Sequence, residues 1–316
     1  MHIPDGFLTP PVWATLDAVA VGTVAYAVKR VEREFDPEDW QVPLMGVTAA
    51  FVFAAQMFNF PVAGGTSGHL LGATLATALL GPWRAMLVMT AVFLVQALAF
   101  ADGGVFALGA NLFNMGILGC LIAHGLIQIL WRLSGQQEWG RQAGIALAAW
   151  WSVELGAVAT AVELALSGRI PLSIVLPAMA GVHAFIGVGE ALLTVAAVNL
   201  VVRVRPELVP AEPTPWLFPA GRRPAWVRWA VALVIALALV PFASSLPDGL
   251  EWVAHQLGFE DAAQDTLAAP LPDYTVPGLP SEALATLLSA IIGAGLVVGL
   301  LAFLGLRRRK TDQGGE

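Results

Sequence analysis

Long apolar runs separated by short polar stretches make up most of this 316-residue chain. A helix needs about 20 apolar residues to cross the hydrocarbon core of a bilayer, and eight runs come close to that length or exceed it. These runs cover residues 11–29, 42–60, 84–101, 105–131, 141–166, 171–202, 226–243 and 283–306. A shorter run at 69–81 follows a glycine-rich stretch. We predict a short crossing helix there, with a re-entrant helix as the alternative.

The distribution of basic residues supports that extra crossing. Lys and Arg concentrate in the cytoplasmic loops of membrane proteins. With the N-terminus outside and nine crossings, all 16 Lys and Arg residues except Arg169 fall on the cytoplasmic side. Without a crossing at 69–81, Arg84 and the later basic clusters would scatter to both sides. We therefore predict nine transmembrane helices, an N-terminus outside and a cytoplasmic C-terminus.

Composition agrees with a membrane protein. The chain is 57% hydrophobic and 12% charged, whereas soluble domains carry about 25% charged residues. We therefore predict an all-α integral membrane protein. The single cysteine, Cys120, lies in an apolar run, which excludes a disulfide framework and a cysteine-based metal site.

A cluster of prolines divides the chain. Residues 203–227 hold six prolines among arginines, which predicts a cytoplasmic linker at 206–225. Seven predicted helices precede it in a domain at 1–205, and two follow in a part at 226–316. Those two flank an external loop at 244–282, which holds seven acidic residues and no Lys or Arg. The acidic residues either attract cations weakly or simply keep the loop solvated.

The lysines exclude an ATPase of the P-loop type. Such a loop needs Gly-x-x-x-x-Gly-Lys-Ser/Thr, so that backbone amides and the lysine hold the phosphates. The chain has two lysines, Lys29 and Lys310, and neither follows a glycine-rich loop. Any energy from ATP must therefore come from a partner subunit, and we expect this chain not to be an enzyme.

Three nitrogens at the start of the chain are separated by only a few covalent bonds. They are the Met1 amine, the His2 backbone nitrogen and the His2 imidazole. Amine and amide nitrogen close a five-membered chelate ring, and amide nitrogen and Nδ1 close a six-membered one. A planar, nitrogen-rich set of this kind suits Ni(II) or Cu(II), and Co(II) less clearly. The site requires that Met1 stays in place; the alternative is that His2 is incidental.

A second histidine is a candidate for the fourth nitrogen. His69 follows Gly64-Gly65-Thr66-Ser67-Gly68, and we predict that it opens the short helix at the outer face. The alternative is a histidine that only hydrogen-bonds in a loop. The residues that could orient it, as ligating histidines require, or could simply cap and cross-link helices, are Gln56, Asn59, Ser67, Asn111 and Asn114.

Four acidic residues lie within predicted spans. Such residues are costly in a bilayer and are functional candidates by default. They are Asp17, Glu154, Glu163 and Glu190. The alternative for each is a structural polar contact inside the helix bundle. His183, also within a span, is either a satisfied buried histidine or a functional one, and the sequence leaves both open.

Two groups of motifs resemble a known family. Met1-His2-Ile3-Pro4-Asp5-Gly6-Phe7 and Gly-Gly-Thr-Ser-Gly-His at 64–69 resemble the CbiM/NikM family. Its members are the substrate-capture (S) components of energy-coupling-factor transporters for cobalt and nickel. Pro-Asp-Gly-Leu-Glu at 247–251 resembles the accessory component CbiN/NikN, so the whole chain resembles a fused NikMN-type protein.

The resemblance implies a metal site, partners and a location. The implied ligands are the Met1 amine, the His2 backbone and imidazole nitrogens, and His69, with Ni²⁺ or Co²⁺ as transported substrate and no cofactor. The implied partners are a transmembrane coupling subunit of EcfT type and cytoplasmic ATPases of EcfA type, in a prokaryotic plasma membrane, without nucleic acid. It also implies transport by reorientation of the whole S component. Pro4-Asp5 resembles the nickel branch, and planar nitrogen ligation favours nickel over cobalt.

We therefore predict the substrate-binding membrane component of an importer for a divalent transition metal. The alternative is a stand-alone secondary transporter or channel, which favours paired intramembrane charges or inverted repeats. The four intramembrane acids are instead scattered. A third hypothesis, an intramembrane metalloenzyme, is weak because the sequence contains no His-Glu-x-x-His motif.

Overall fold

The computed structural model describes residues 1–34, 41–204, 244, 246–264, 266–276, 278–279 and 281–312. These residues form helices, with one two-stranded hairpin. The helices are α1 (Pro10–Arg33), α2 (Gln41–Gln56), α3 (Ala73–Leu80), α4 (Pro82–Val95), α5 (Leu108–Asn111), α6 (Leu118–Leu133), α7 (Glu138–Leu166), α8 (Leu172–Val204), α9 (Gly249–Leu257) and α10 (Glu282–Asp312). The antiparallel strands are β1 (Asn59–Val62) and β2 (Thr66–His69).

Two π-helical segments interrupt the regular helices. Gln96–Phe100 continues α4, and Leu112–Ile117 joins α5 to α6. Short 3₁₀ turns lie at Glu260–Ala262 and Pro272–Tyr274, in the loop at 244–282 that is predicted to be external (the external loop). Such π-helical turns often occur at functional sites. Asp102 lies two residues after the first segment, and Asn111 lies directly before the second.

Six helical stretches in the described part of the chain are long and apolar enough to cross a membrane. They are Pro10–Arg33, Pro82–Phe100, Leu108–Leu133, Glu138–Leu166, Leu172–Val201 and Ala283–Phe303, and a shorter apolar helix covers Val42–Gln56. Large apolar side chains such as Val21, Leu133 and Leu192 point outward from these helices, as expected for surfaces that face lipid. The predicted multi-pass helical architecture is therefore confirmed in its main part, and the hairpin of β1 and β2 is its exception. The predicted span 226–243 and the predicted linker 206–225 lie outside the described residues.

The structure corrects the prediction for the run at 69–81. Its helix, α3, begins only at Ala73, and His69 ends strand β2 instead of opening a helix. The delay has a physical cause, because Gly72 adopts a left-handed conformation with φ of 84°, which glycine tolerates best. The eight residues of α3 extend about 12 Å, compared with a hydrocarbon core of about 30 Å.

Helix α3 nevertheless lies at the centre of the molecule. All eight of its residues are buried, and it packs against α4, α6, α7 and α8. The loop that enters it therefore leads from the hairpin at the protein's end directly into the bundle core.

The C-terminal part docks on the N-terminal domain. Helix α10 runs along α2 and also touches α4, while α9 packs against α8 and β2. A Cβ atom at Gly293 of α10 would overlap the ring of Phe53 in α2, so the two helices approach closely where that glycine lies. This packing brings the external loop over the N-terminus of the chain.

Candidate metal site

The first eight residues are inserted into the protein. Met1, Ile3, Asp5 and Phe7 are all buried, in alternation with partly exposed neighbours. The backbone of Ile3 pairs with Asn111 on α5 in both directions: Ile3 N–H donates to Asn111 Oδ1 at 2.7 Å, and Asn111 Nδ2 donates to Ile3 O at 3.0 Å. Asn111, predicted as a residue that supports the site, thus holds the terminal segment.

Asp5 provides a second anchor for this segment. Its carboxylate accepts hydrogen bonds from the backbone N–H groups of Val105, Phe106 and Ala107 at 3.1, 2.9 and 3.1 Å. Gly104 N–H also donates to Ile3 O at 2.8 Å. Any side chain at Gly104 would overlap the Asp5 carboxylate, so the close approach of the two segments requires glycine there.

Arg169 fixes the far end of the segment. Its guanidinium donates to the carbonyl oxygens of Gly6 and of Phe7, the latter at 3.0 Å. The terminal residues are therefore held from α5, from the loop before it and from the turn between α7 and α8.

These anchors bring the predicted ligand residues Met1, His2 and His69 together. The Met1 amine lies 3.2 Å from His69 Nε2. The His2 and His69 rings stack with their centroids 5.4 Å apart and their planes at 16°. One amine and two imidazoles thus form a single buried group of nitrogens.

The histidines in this group are held in their neutral form. Burial, followed by the nearby amine and His2, lowers the pKa of His69 to about 3. Burial also lowers the pKa of His2, against the opposing effect of Asp102. Neutral imidazole is the form that binds metal ions, so both rings are ready for ligation at neutral pH.

The orientation of His2 differs from that of a closed chelate. Its Nδ1 faces Asp102 Oδ1 at 3.1 Å, and the hydroxyl of Tyr274 donates to the other oxygen of Asp102. To close the six-membered chelate ring, Nδ1 must point toward the same metal position as the Met1 amine. The imidazole must therefore turn away from Asp102 to chelate.

The sequence did not reveal Asp248, which lies beside the Met1 amine and pairs with it. Asp248 also caps α9: its Oδ1 accepts from Leu250 N and Glu251 N at 2.8 and 2.9 Å, and Glu251 accepts from Asp248 N at 2.9 Å. Burial raises the pKa of Asp248, but the Met1 amine, His69 and the Glu251 backbone N–H together outweigh burial and hold the pKa below its ordinary value. The Asp-x-x-Glu spacing at 248–251 was a signal for this capping box.

Other residues predicted to support the site hold the hairpin and its connections. Gln56 Nε2 donates to Leu71 O at 2.7 Å, two residues beyond His69. Ser67 donates from its backbone N and its Oγ to Pro247 O and Leu246 O. Asn59 pairs with His69 in the hairpin register. These contacts position the backbone around His69 and join it to the C-terminal part.

Two of the four acids in predicted spans, Glu190 and Glu163, make polar contacts inside the bundle. Glu190 on α8 accepts from Leu71 N and Gly72 N at 2.6 and 3.2 Å, which fixes the turn after His69. Glu163 on α7 accepts from Asn114 Nδ2 at 2.9 Å. For these two residues the structural interpretation of the sequence holds, and Glu190 acts close to the site.

A cavity of about 620 Å³ opens beside the histidines, between the N-terminal segment and the external loop. Its lining includes His2 and His69, together with carboxylates of Asp102, Asp248, Glu251, Glu260 and Asp273. Within the described residues, no three His, Cys, Asp or Glu side chains are arranged to hold a metal ion. The predicted donor set does not need three such side chains. Two of its four nitrogens, the Met1 amine and the His2 amide, belong to the main chain, and only two come from side chains.

Fold and site together define a class: a multi-pass helical membrane protein with a buried, nitrogen-rich site at its chain terminus. Comparison with known families agrees. The sequence model of the CbiM family, described as "Cobalt uptake substrate-specific transmembrane region", matches residues 2–208, and that of the PDGLE domain matches residues 222–310. The chain therefore belongs to the CbiM family, with a PDGLE domain fused behind it in the manner of NikMN proteins.

Individual relatives have the same layout. The chain is 32% identical over 302 residues to a putative fused nickel transport protein NikMN of Archaeoglobus fulgidus, which covers 95% of this chain and 96% of the relative. It is 31% identical over 348 residues to the fused nickel transport protein NikMN of Rhodobacter capsulatus, with 97% and 98% covered. A crystal structure of a truncated transition metal transporter superposes with a TM-score of 0.57 at 35% identity, over 65% of this chain and 99% of that one.

Proposed function

We propose that this protein is the substrate-capture membrane component of an energy-coupling-factor importer for a divalent transition metal. The observation that carries the proposal is the buried Met1 amine, 3.2 Å from His69 Nε2, with the His2 ring stacked on His69. The proposed ligands are that amine, the His2 amide and imidazole nitrogens, and His69 Nε2. The metal is the transported substrate and not a resident cofactor.

Nickel is the favoured substrate over cobalt. A planar set of four nitrogens suits Ni(II) better than Co(II). The two full-length relatives described above carry nickel in their names, whereas the family description names cobalt. The choice therefore rests on the donor set and on the fused relatives.

The proposed arrangement has nine crossings, with the N-terminus outside and the C-terminus in the cytoplasm. A seven-helix domain at 1–205, a linker at 206–225 and a two-helix part at 226–316 make up the chain. The one basic residue that this topology places outside, Arg169, has a structural role there, because it binds the carbonyl oxygens of Gly6 and Phe7. Arg169, the exception to the positive-inside rule, thus supports an N-terminus on the outside, because it lies beside the N-terminal residues and holds them.

The proposed energy source is a partner assembly. The chain has no lysine in a P-loop context, so a transmembrane coupling subunit and cytoplasmic ATPases are the expected partners. The rival proposal is a stand-alone secondary transporter. Radioactive nickel uptake into vesicles that contain only this chain separates the two: we expect no accumulation without the ATPases, and ATP-independent accumulation would favour the rival.

The direct test of the site is an altered N-terminus. Two extra residues before Met1 convert the amine into an amide and displace the new amine from His69. A single extra residue is unsuitable, because a histidine in third position can form a new planar nickel site with the new amine and two amide nitrogens. We expect tight Ni²⁺ binding, measured by calorimetry on purified protein, to be lost while the helical circular dichroism stays unchanged. An unchanged affinity in the extended protein would rule out the terminal amine as a ligand.

A further inference from the structure

The imidazole of His2 lies between two acceptor groups. Its Nδ1 is 3.1 Å from Asp102 Oδ1. The side chain of Gln96 lies beside the same ring, since burial lowers the pKa of His2 and Gln96 is among the groups that oppose this effect. Asp102 N–H donates to Gln96 O at 3.1 Å across the first π-helical segment. That segment therefore places its first residue and the residue just beyond its end against one histidine.

A chain of hydrogen bonds fixes which side-chain atom of Gln96 is free. Leu71 O can only accept, so the Gln56 atom that lies 2.7 Å from it is the Nε2 donor. Gln56 Oε1 therefore faces Gln96 and accepts from its Nε2 at 2.7 Å. The remaining atom, Gln96 Oε1, is buried and has no hydrogen-bond partner in the described part of the chain. It is an acceptor that requires a donor.

The second ring nitrogen of His2 is unpaired as well. A neutral imidazole carries one N–H, and the Asp102 carboxylate keeps that proton on Nδ1. Nε2 is then an acceptor, and it too lacks a partner among the residues that the structure describes. Two buried acceptors on neighbouring side chains cannot satisfy each other, and leaving each one unpaired is costly. One proton on Nε2 would satisfy both His2 and Gln96.

Chelation of a metal ion places the proton at that position. When Nδ1 gives its lone pair to an ion, the neutral ring carries its proton on Nε2. The proton that Nδ1 releases to solvent is balanced by the one that Nε2 takes up, so the charge of the His2 ring does not change. Asp102 keeps a donor after His2 has turned away, because the Tyr274 hydroxyl binds its other oxygen.

We propose that Gln96 is a positioning residue that selects the metal-binding tautomer of His2, by accepting a hydrogen bond from Nε2–H while Nδ1 binds the ion. Asp102 stabilises the opposite tautomer, so Gln96 and Asp102 compete for one imidazole proton. This inference rests on the proposed function and deepens it, since a ligating histidine needs a partner for its other nitrogen. The hydrogen-bond chain from Gln96 ends two residues beyond His69, so it supports both histidine ligands.

The test uses the full chain with a free Met1 amine and isotope-labelled histidine, with and without Ni²⁺. Planar Ni²⁺ is diamagnetic, so proton–nitrogen NMR identifies the protonated ring nitrogen of each histidine. We expect Ni²⁺ to move the His2 proton from Nδ1 to Nε2. Its exchange with solvent should be at least about tenfold slower than at His255, because the hydrogen bond must open first; His255 is exposed on α9.

Gln96→Leu removes the acceptor and keeps a side chain of similar size. We expect the Nε2 proton of His2 to exchange about tenfold faster than in the native protein, and the Kd for Ni²⁺ to rise roughly tenfold. A merely structural role would lower the unfolding temperature and leave the exchange rate unchanged. Gln142→Leu is the matched control: Gln142 binds Glu138 and Asn199, and its loss should leave both values native.

The outcomes separate this inference from the proposed function. An unchanged exchange rate and Kd in Gln96→Leu, together with loss of Ni²⁺ binding on N-terminal extension, remove only Gln96 and leave the proposed function in place. A His2 proton that stays on Nδ1 in the presence of Ni²⁺ overturns both. If the leucine variant does not fold, the Ni²⁺-loaded native protein decides: a slowly exchanging Nε2 proton supports the inference, and one that exchanges as fast as that of His255 overturns it.

Discussion

The N-terminal segment (residues 1–8) and the external loop (residues 244–282) meet at one site but contribute differently. The segment supplies the candidate donors themselves, through Met1 and His2. The loop supplies side chains that contact those donors directly or through one other residue. Asp248 pairs with the Met1 amine, and Tyr274 donates to Asp102, whose carboxylate faces His2. The N-terminal segment therefore presents the candidate donor nitrogens. The loop contacts the residues around them, near the Met1 amine and near the His2 imidazole. If this division is right, changes in the segment and in the hairpin should affect affinity most, and changes in the loop least.

The largest effect is expected from His69→Ala. This change removes the one proposed ligand that lies outside the N-terminal segment. Loss of an outer-shell partner alone costs about 10- to 100-fold in metal affinity, so we expect the Kd for Ni²⁺ to rise by at least about 100-fold. Calorimetry and the metal absorption spectrum measure it, with His255→Ala as a control that should bind like the native protein. An unaltered spectrum would exclude His69 as a ligand.

A smaller effect is expected when an anchor of the segment is cut. Asp5→Ala removes the acceptor of three backbone N–H groups and leaves them unpaired. We expect a loss of about 1–3 kcal/mol in stability and a Kd roughly tenfold higher, because the amine is held less well. Asp5→Asn keeps one acceptor oxygen and should recover part of both effects. Equal losses in the two variants would argue against the hydrogen bonds as the cause.

These predictions depend on residues that sequence and structure revealed to different degrees. Met1, His2 and His69 were predicted from the sequence, because two of them are adjacent in the chain and the third follows a distinctive glycine-rich motif. Asp248 and Asp102 were missed, because their proximity to the amine and to His2 comes only from tertiary packing. A count of acidic residues in the loop does not show which carboxylate pairs with the amine.

The helices also differ in how well the sequence predicted their bounds. Runs such as 141–166 matched the observed helix Glu138–Leu166 within a few residues, because length and apolarity suffice for a membrane span. The runs at 42–60 and 69–81 were overextended. Between them, Pro61 and the left-handed glycines at 64 and 65 replace helix with a hairpin, and the left-handed Gly72 delays the start of α3. In a fully apolar run there is no periodicity to reveal such a break, so local backbone geometry has to be seen.

Acidification should destabilise the site. The pKa of His69 is lowered from 6.5 to about 3 in the folded protein, so between these values the unfolded chain binds a proton that the folded chain does not. Its contribution to stability is complete above pH 6.5 and is lost as pH falls toward 3, by at most about 1.4 kcal/mol per pH unit. Thermal unfolding in detergent should therefore show a steeper loss between pH 6.5 and 4.5 for the native protein than for His69→Phe. Equal slopes would contradict the buried neutral histidine.

The smallest effect on affinity is expected from the loop, in Asp248→Asn. In the proposed chelate, a divalent ion and the deprotonated His2 amide together carry one positive charge, which is the charge of the free ammonium group. Asp248 therefore faces the same net charge with and without the ion. Its removal should change the Kd by less than about threefold, since an ion pair contributes to binding only through the difference between the two states.

The choice of substitution isolates the charge from the helix cap. Asparagine can accept the hydrogen bonds from Leu250 N and Glu251 N that Asp248 accepts, whereas Asp248→Ala also removes the cap, at a cost of about 1 kcal/mol. We therefore expect near-native affinity in both variants. The unfolding temperature should fall in both, because the buried Met1 ammonium group loses its partner, and it should fall further in alanine, which also lacks the cap. A rise of tenfold or more in the Kd of Asp248→Asn would show that the carboxylate binds the ion itself. The loop would then supply a donor as the N-terminal segment does, and the division between the two regions would fail.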